Sequence, residues 1–147
     1  MTNDFEKYDH TINYLYSLQK HGIKLGLSNT IELMKLLEEP HKSFRCIHIA
    51  GTNGKGSTAS MIASILQEAG YTTGLFTSPH LISFTERIRI NGQMISEKDV
   101  IKLASGVRKS IANTVLNPTF FALYGKIHRT SHFSNRNGLA HLAYSLG

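Results

Sequence analysis

The chain has 147 residues, 41% of them hydrophobic and 18% charged, with a formal net charge of +6 and a single cysteine. That length supports one domain with its own core, no run reaches the apolar length of a membrane span, and the N-terminus lacks a basic-then-apolar leader pattern. Cys46 has no partner for an internal disulfide and, inside an apolar strand, reads as core, so a reducing cytoplasm is the expected setting. All ten acidic side chains lie in residues 1–99 with an equal number of basic ones, whereas Lys102, Arg108, Lys109, Lys126, Arg129 and Arg136 have no acidic company. Basicity confined to the last third, without a stripe or interleaved aromatics, argues against a nucleic-acid surface.

In chain order, Asn3 with Glu6 forms a capping-box pattern for a first helix. Phe5, Tyr8, Ile12, Leu15 and Leu18 recur at helical spacing and predict its buried face. Gly22 and Gly26 bracket a loop. Asn29 with Glu32 opens a second helix through Ile31, Met34 and Leu37, halted by Pro40.

Arg45–Ala50 reads as the first strand, and it stops abruptly at Gly51-Thr52-Asn53-Gly54-Lys55-Gly56-Ser57-Thr58. Met61, Ile62, Ile65 and Leu66 then follow at helical spacing, up to a C-terminal cap at Gly70. Strand, glycine-rich turn and helix is the setting in which backbone N–H groups and a helix N-terminus hold phosphate. Lys55 reaches the outer phosphates of a nucleotide in this reading, and Ser57 or Thr58 offers a hydroxyl to phosphate or metal. The spacing departs from G-x-x-x-x-G-K-[ST]: Gly51 stands only three residues before Gly54, and Gly56 separates the lysine from the hydroxyls. A plain glycine turn is the alternative, but such a turn has no need of Lys and Ser-Thr after it.

Thr72–Phe76 predicts a second strand, and the resulting βαβ unit is expected to pair its strands in parallel. Ser78, just past that strand, lies on the side where a ligand would sit. Spacing alone leaves open whether it is a turn serine or a metal-facing hydroxyl. Arg87–Ile90, Asn91-Gly92 and Gln93–Ile95 read as a hairpin. Ser96 with Asp99 caps a helix carrying Val100, Leu103, Val107 and Ile111. From Ala122 to Gly147 neither period persists, and His128, His132 and His141 form no metal-ligand pattern. That segment reads as a solvated or disordered tail.

From about Tyr8 to Phe121 the chain resembles the start of a folylpolyglutamate synthase or dihydrofolate synthase of the Mur ligase superfamily. The resemblance is carried by Gly22–Leu27, His48–Ser57, Thr77-Ser78-Pro79-His80-Leu81, Phe84–Gly92 and Pro118-Thr119-Phe120-Phe121. It implies an α/β fold, a P-loop-type parallel sheet with flanking helices, forming an incomplete Mur ligase central domain. It implies an ATP-dependent ligase, acting in the cytoplasm as a monomer without nucleic acid or membrane. ATP would phosphorylate the carboxylate of a folate or dihydropteroate, and the amine of L-glutamate would attack the acyl phosphate. By resemblance Gly51, Thr52, Asn53, Gly54, Lys55, Gly56, Ser57 and Thr58 hold ATP, with Lys55 the catalytic cation. Ser57 and Ser78 ligate Mg²⁺, Thr119, Phe120 and Phe121 line the pterin site, and Ile23–Leu27 lies near it.

The departures cluster at one point. Where the family continues with a glutamate after the aromatic pair, this chain has Ala122, and the buried strand, glutamate and histidine expected beyond are not recognisable. The expected organisation is therefore residues 1–121 as the N-terminal part of the ATP-binding ligase domain and residues 122–147 as a frameshifted, non-family tail. A truncated chain of this kind is expected to be inactive and marginally stable, with a non-catalytic ATP-binding module as the alternative.

Overall fold

Helical periodicity near the N-terminus and after Ser96 becomes three helices in the computed structural model, which describes residues 4–20, 28–39, 42, 45–114 and 140–144. They are α1 (Asp4–Lys20), α2 (Ser28–Leu36) and α4 (Glu97–Ile111), with α3 (Lys55–Glu68) between them in sequence. The strands are β1 (Arg45–Ile49), β2 (Thr73–Phe76), β3 (Ile88–Ile90), β4 (Gln93–Met94) and β5 (Ala140–Tyr144). The chain divides into two compact units, one holding α1, α2 and α4 and the other holding the five strands and α3.

In the helical unit, α4 follows its sequence pattern closely. Val100, Leu103, Ala104, Val107 and Ile111 are buried on one face. Glu97 and Asp99 sit in its first turn and Arg108 and Lys109 in its last, the arrangement the helix dipole favours. Val107 and Ile111 pack with Leu33 and Leu37 of the α2 segment, and Met34 lies against that cluster. Tyr8 and Leu15 of α1 are buried, and the Arg108 guanidinium lies 5.2 Å from the centre of the Tyr14 ring. Asn29 falls inside α2, which already begins at Ser28. Asn3, Pro40 and the Gly22–Leu27 loop lie outside the described residues.

In the sheet unit the strand order is β1-β5-β2-β3-β4. Both β1 and β2 run parallel to β5, with Ile47, Leu142 and Leu75 in one row of the register. The expected parallel pair β1–β2 is thus corrected: the two strands are parallel, but each bonds to β5 rather than to the other. The reading of residues 122–147 as a patternless tail is corrected over Ala140–Tyr144, while residues 122–139 and 145–147 lie outside the described residues. A central strand is selected by having backbone partners on both edges, a property of the sheet that no periodicity within the segment reports. β3 and β4 extend the sheet antiparallel, through the expected hairpin, whose turn residues Asn91 and Gly92 have φ of 47° and 78°.

α3 covers one face of this sheet with its small residues. Ala59 and Ala63 are buried against Leu75, with Ile47, Ile49 and Ile62 beside them. Alanines one turn apart let the helix backbone lie close to the strands, so the bulky Met61 and Ile65 point away, Ile65 being 67% exposed. The helix ends as the sequence implied. Tyr71 N–H donates to Leu66 C=O and Gly70 N–H to Gln67 C=O, both at 2.9 Å, with Gly70 at φ 85° where a side chain would be strained. Cys46, expected in the core, is exposed, because β1 is an edge strand covered by α3 only on its Ile47–Ile49 side. Among the described residues no helix is long and apolar enough to cross a membrane.

Candidate active site

Two loops leave the sheet at the carboxyl ends of β1 and β2, on the same edge because both strands run parallel to β5. With one strand between them, their starting points are about 10 Å apart, two inter-strand spacings.

The first loop is built by backbone. Gly51 has φ 152° and Gly54 has φ 73°, the latter as the N-cap of α3 without any side-chain cap. Gly54 in the left-handed region completes the five-residue passage from β1 into α3, and a Cβ there would meet nothing within 4 Å. The usual capping oxygen is missing at Gly54, so the first N–H groups of α3 have no side-chain cap there. Lys55 occupies the first position of the helix and is 7% exposed. Its ammonium donates to Gly51 C=O and, at 3.2 Å, to Thr52 C=O, so the cation folds over the loop that carries it. Thr52, Asn53, Ser57 and Thr58 are exposed and Gly56 half-buried. The predicted phosphate-binding set is thus an exposed rim, broken only by half-buried Gly56, around a buried lysine.

The second loop is built by side chains. After a cis Ser78–Pro79 peptide, the chain turns through a 3-10 turn at Phe84–Arg87 into β3. The Glu86 carboxylate accepts N–H bonds from Leu81, Ile82 and Ser83 at 2.9, 2.9 and 2.7 Å. These three donors pull the Glu86 carboxyl down to about 2 from its usual 4.5. A carboxylate held ionised by three backbone N–H groups serves structure rather than proton transfer. Leu81 and Ile82, whose backbones it holds, carry side chains 91% and 92% exposed.

Beneath this clamp Arg87 is buried. Its Nε–H donates to His80 Nδ1 at 2.7 Å, its Nη1 lies 3.5 Å from Ser78 Oγ, and its guanidinium carbon is 5.6 Å from the Phe84 ring centre. His80 meets the same ring edge-on at 6.2 Å. Burial and the neighbouring arginine hold the His80 imidazole below its usual range, with Glu86 opposing weakly. Ser78 is itself buried. The side-chain hydroxyls of Ser57, Thr58 and Ser78 are hard oxygen donors. Among the described residues, no group of three or more His, Cys, Asp or Glu stands ready to hold a metal by itself.

Thr119, Phe120 and Phe121, the expected pterin-site residues, lie outside the described residues, as does Ile23–Leu27. His80, Glu86 and Arg87 had no role assigned from sequence. The Ser83-x-x-Glu86 spacing was the available signal, since it is a capping-box pattern and the box forms in full.

No family model matches the chain. A dihydrofolate synthase/folylpolyglutamate synthase of Bacillus subtilis is 44% identical over 107 residues, covering 73% of this chain and 25% of that protein. A crystal structure of folylpolyglutamate synthase from Thermotoga maritima superposes with a TM-score of 0.76 at 36% identity, over 95% of this chain and 33% of that one. A folylpolyglutamate synthase solved with AMPPCP and folate gives 0.74 at 28% identity, over 93% and 34%. The fold is α/β and of the Mur ligase type. Within that class the chain belongs to the folylpolyglutamate synthase/dihydrofolate synthase family. It spans about a quarter of the length of the Bacillus relative and about a third of the solved chains.

Proposed function

We propose that residues 1–121 carry the nucleotide-binding part of an ATP-dependent ligase that joins L-glutamate to the carboxylate of a folate or dihydropteroate through an acyl phosphate. The observation that carries this reading is the Gly51–Thr58 loop with buried Lys55 at the first position of α3. A nucleotide entering the loop would exchange the Gly51 and Thr52 carbonyls for phosphate oxygens as partners of the Lys55 ammonium. The loop N–H groups and the helix N-terminus would then face the same charge. Ser57 and Ser78 are hard oxygen donors that would hold Mg²⁺ alongside the phosphates, and the metal would neutralise charge building up during phosphoryl transfer.

Calorimetric titration of the full chain with Mg-ATP tests this. Micromolar-to-millimolar binding that is abolished in Lys55→Ala supports it; equal affinity of the two proteins overturns it. A non-catalytic ATP-binding module is the second reading, favoured by Ala122 standing where the family resemblance expects a glutamate. Nucleotide binding without any ADP formation in the presence of folate and glutamate would select it.

A further inference from the structure

Arg87 is a long cationic side chain buried beside the carboxyl end of β2, and something must fix its direction. Arginine side chains have many rotamers, and a single contact at the tip does not fix them. Here the short bond is made by Nε, the donor nearest the chain, to His80 Nδ1 at 2.7 Å. Bonding at Nε sets the plane of the whole guanidinium. Nη1 is then turned toward Ser78 Oγ at 3.5 Å, a distance too long to orient anything by itself. Phe84 supports the plane from one side. Guanidinium is a donor only, so Nδ1 must present its lone pair and the ring proton must sit on Nε2. Backbone holds the acceptor in place: Thr77 N–H donates to Arg87 C=O at 3.0 Å, and Glu86 secures the chain immediately after His80. Every strut of this arrangement lies within one ten-residue segment, Ser78–Arg87, and the Thr77 contact next to it.

We propose that His80 is a positioning residue. Its Nδ1 lone pair aims the Arg87 guanidinium at the Ser78 hydroxyl, so that a fixed positive charge meets an anionic ligand at this edge of the sheet. The ligand part rests on the nucleotide-binding reading above; the positioning part does not. His80 itself touches no ligand in this assignment.

The full chain labelled with ¹⁵N tests both parts. The Arg87 Nε–H signal, identified by its loss in Arg87→Lys, is expected to exchange slowly with solvent in the wild type. It should stay slow in His80→Asn, whose amide oxygen reaches the place of Nδ1. It should exchange fast in His80→Gln, whose amide falls near Nε2 instead, and in His80→Ala. The Kd for Mg-ATP should rise about tenfold in the Gln and Ala variants, the scale of one hydrogen bond to a charged group, and stay within about twofold in His80→Asn. Equal Nε–H exchange across the four proteins overturns the assignment, as does an Asn variant no better than Gln. Should Ala fail to fold, the Asn–Gln pair decides. A wild type that binds no Mg-ATP brings down the nucleotide reading, and the exchange data then decide the positioning role alone.

Discussion

The two loops at the carboxyl edge of the sheet reach a fixed shape by opposite means. Gly51–Lys55 is shaped by backbone angles reserved for glycine and closed by its own lysine, which donates to Gly51 and Thr52 carbonyls. Ser78–Arg87, which opens on the cis Ser78–Pro79 peptide, is tied by side chains: Glu86 to three N–H groups, His80 to Arg87, Ser83 to Thr85. The first loop stores its cation against groups a ligand would replace. The second holds its cation against groups that stay. A nucleotide bound as proposed would therefore rearrange the first loop's hydrogen bonds and leave those of the second in place.

The largest effect expected from this contrast is at Lys55. Lys55→Ala removes the only side-chain cation of the first loop and should weaken Mg-ATP binding by at least about a hundredfold, read by calorimetry, since bonds to charged groups contribute about 1.5–3 kcal/mol each. A change below threefold would break the comparison.

Glu86→Ala comes next. It leaves the N–H groups of Leu81, Ile82 and Ser83 without their acceptor, and their hydrogen exchange should accelerate by at least about tenfold while the amides of α4 are unchanged. The pH dependence has a definite sign. The folded carboxyl is held near 2 against 4.5 for the ordinary group, so its stabilising effect is present above about 4.5 and is lost as pH falls toward 2. Thermal melts of the wild type and Glu86→Gln should differ at pH 5 and converge near pH 2. A gap that persists at pH 2 would show that Glu86 acts by shape rather than by charge.

Gly54→Ala places a Cβ at φ 73° with nothing within 4 Å, so only backbone strain counts. A loss of about 1 kcal/mol in denaturant unfolding is expected, with a normal m-value. The smallest effect belongs to Leu81→Ala. Its N–H is clamped but its side chain is 91% exposed, and stability should change by less than about 0.5 kcal/mol. A larger loss would mean that the second loop is held by its apolar side chains after all.

Much of this was legible from residue types. The glycine loop, the Asn91-Gly92 turn, the Gly70 cap and the α4 stripe rest on chemistry acting over a few residues, and each formed where the sequence placed it. Even the Glu86 clamp had its signature, in the capping-box spacing from Ser83. The helical spacing of Met61, Ile62, Ile65 and Leu66 marked α3 but not which side meets the sheet. The sheet accepted Ala59 and Ala63 and left Ile65 exposed, because close approach of a helix to strands rewards small side chains over large ones.

Residue types alone showed where the glycine-rich loop forms, where the chain turns, and which family the chain resembles, since motifs and turns are set by near neighbours. Only the tertiary structure decided that β5 lies between β1 and β2, that Cys46 on the edge strand is exposed, and that His80 meets Arg87. Those outcomes depend on which strands find free backbone edges and which side chains the folded turn brings within hydrogen-bond reach. Both are properties of the assembled sheet, and no window of sequence contains them.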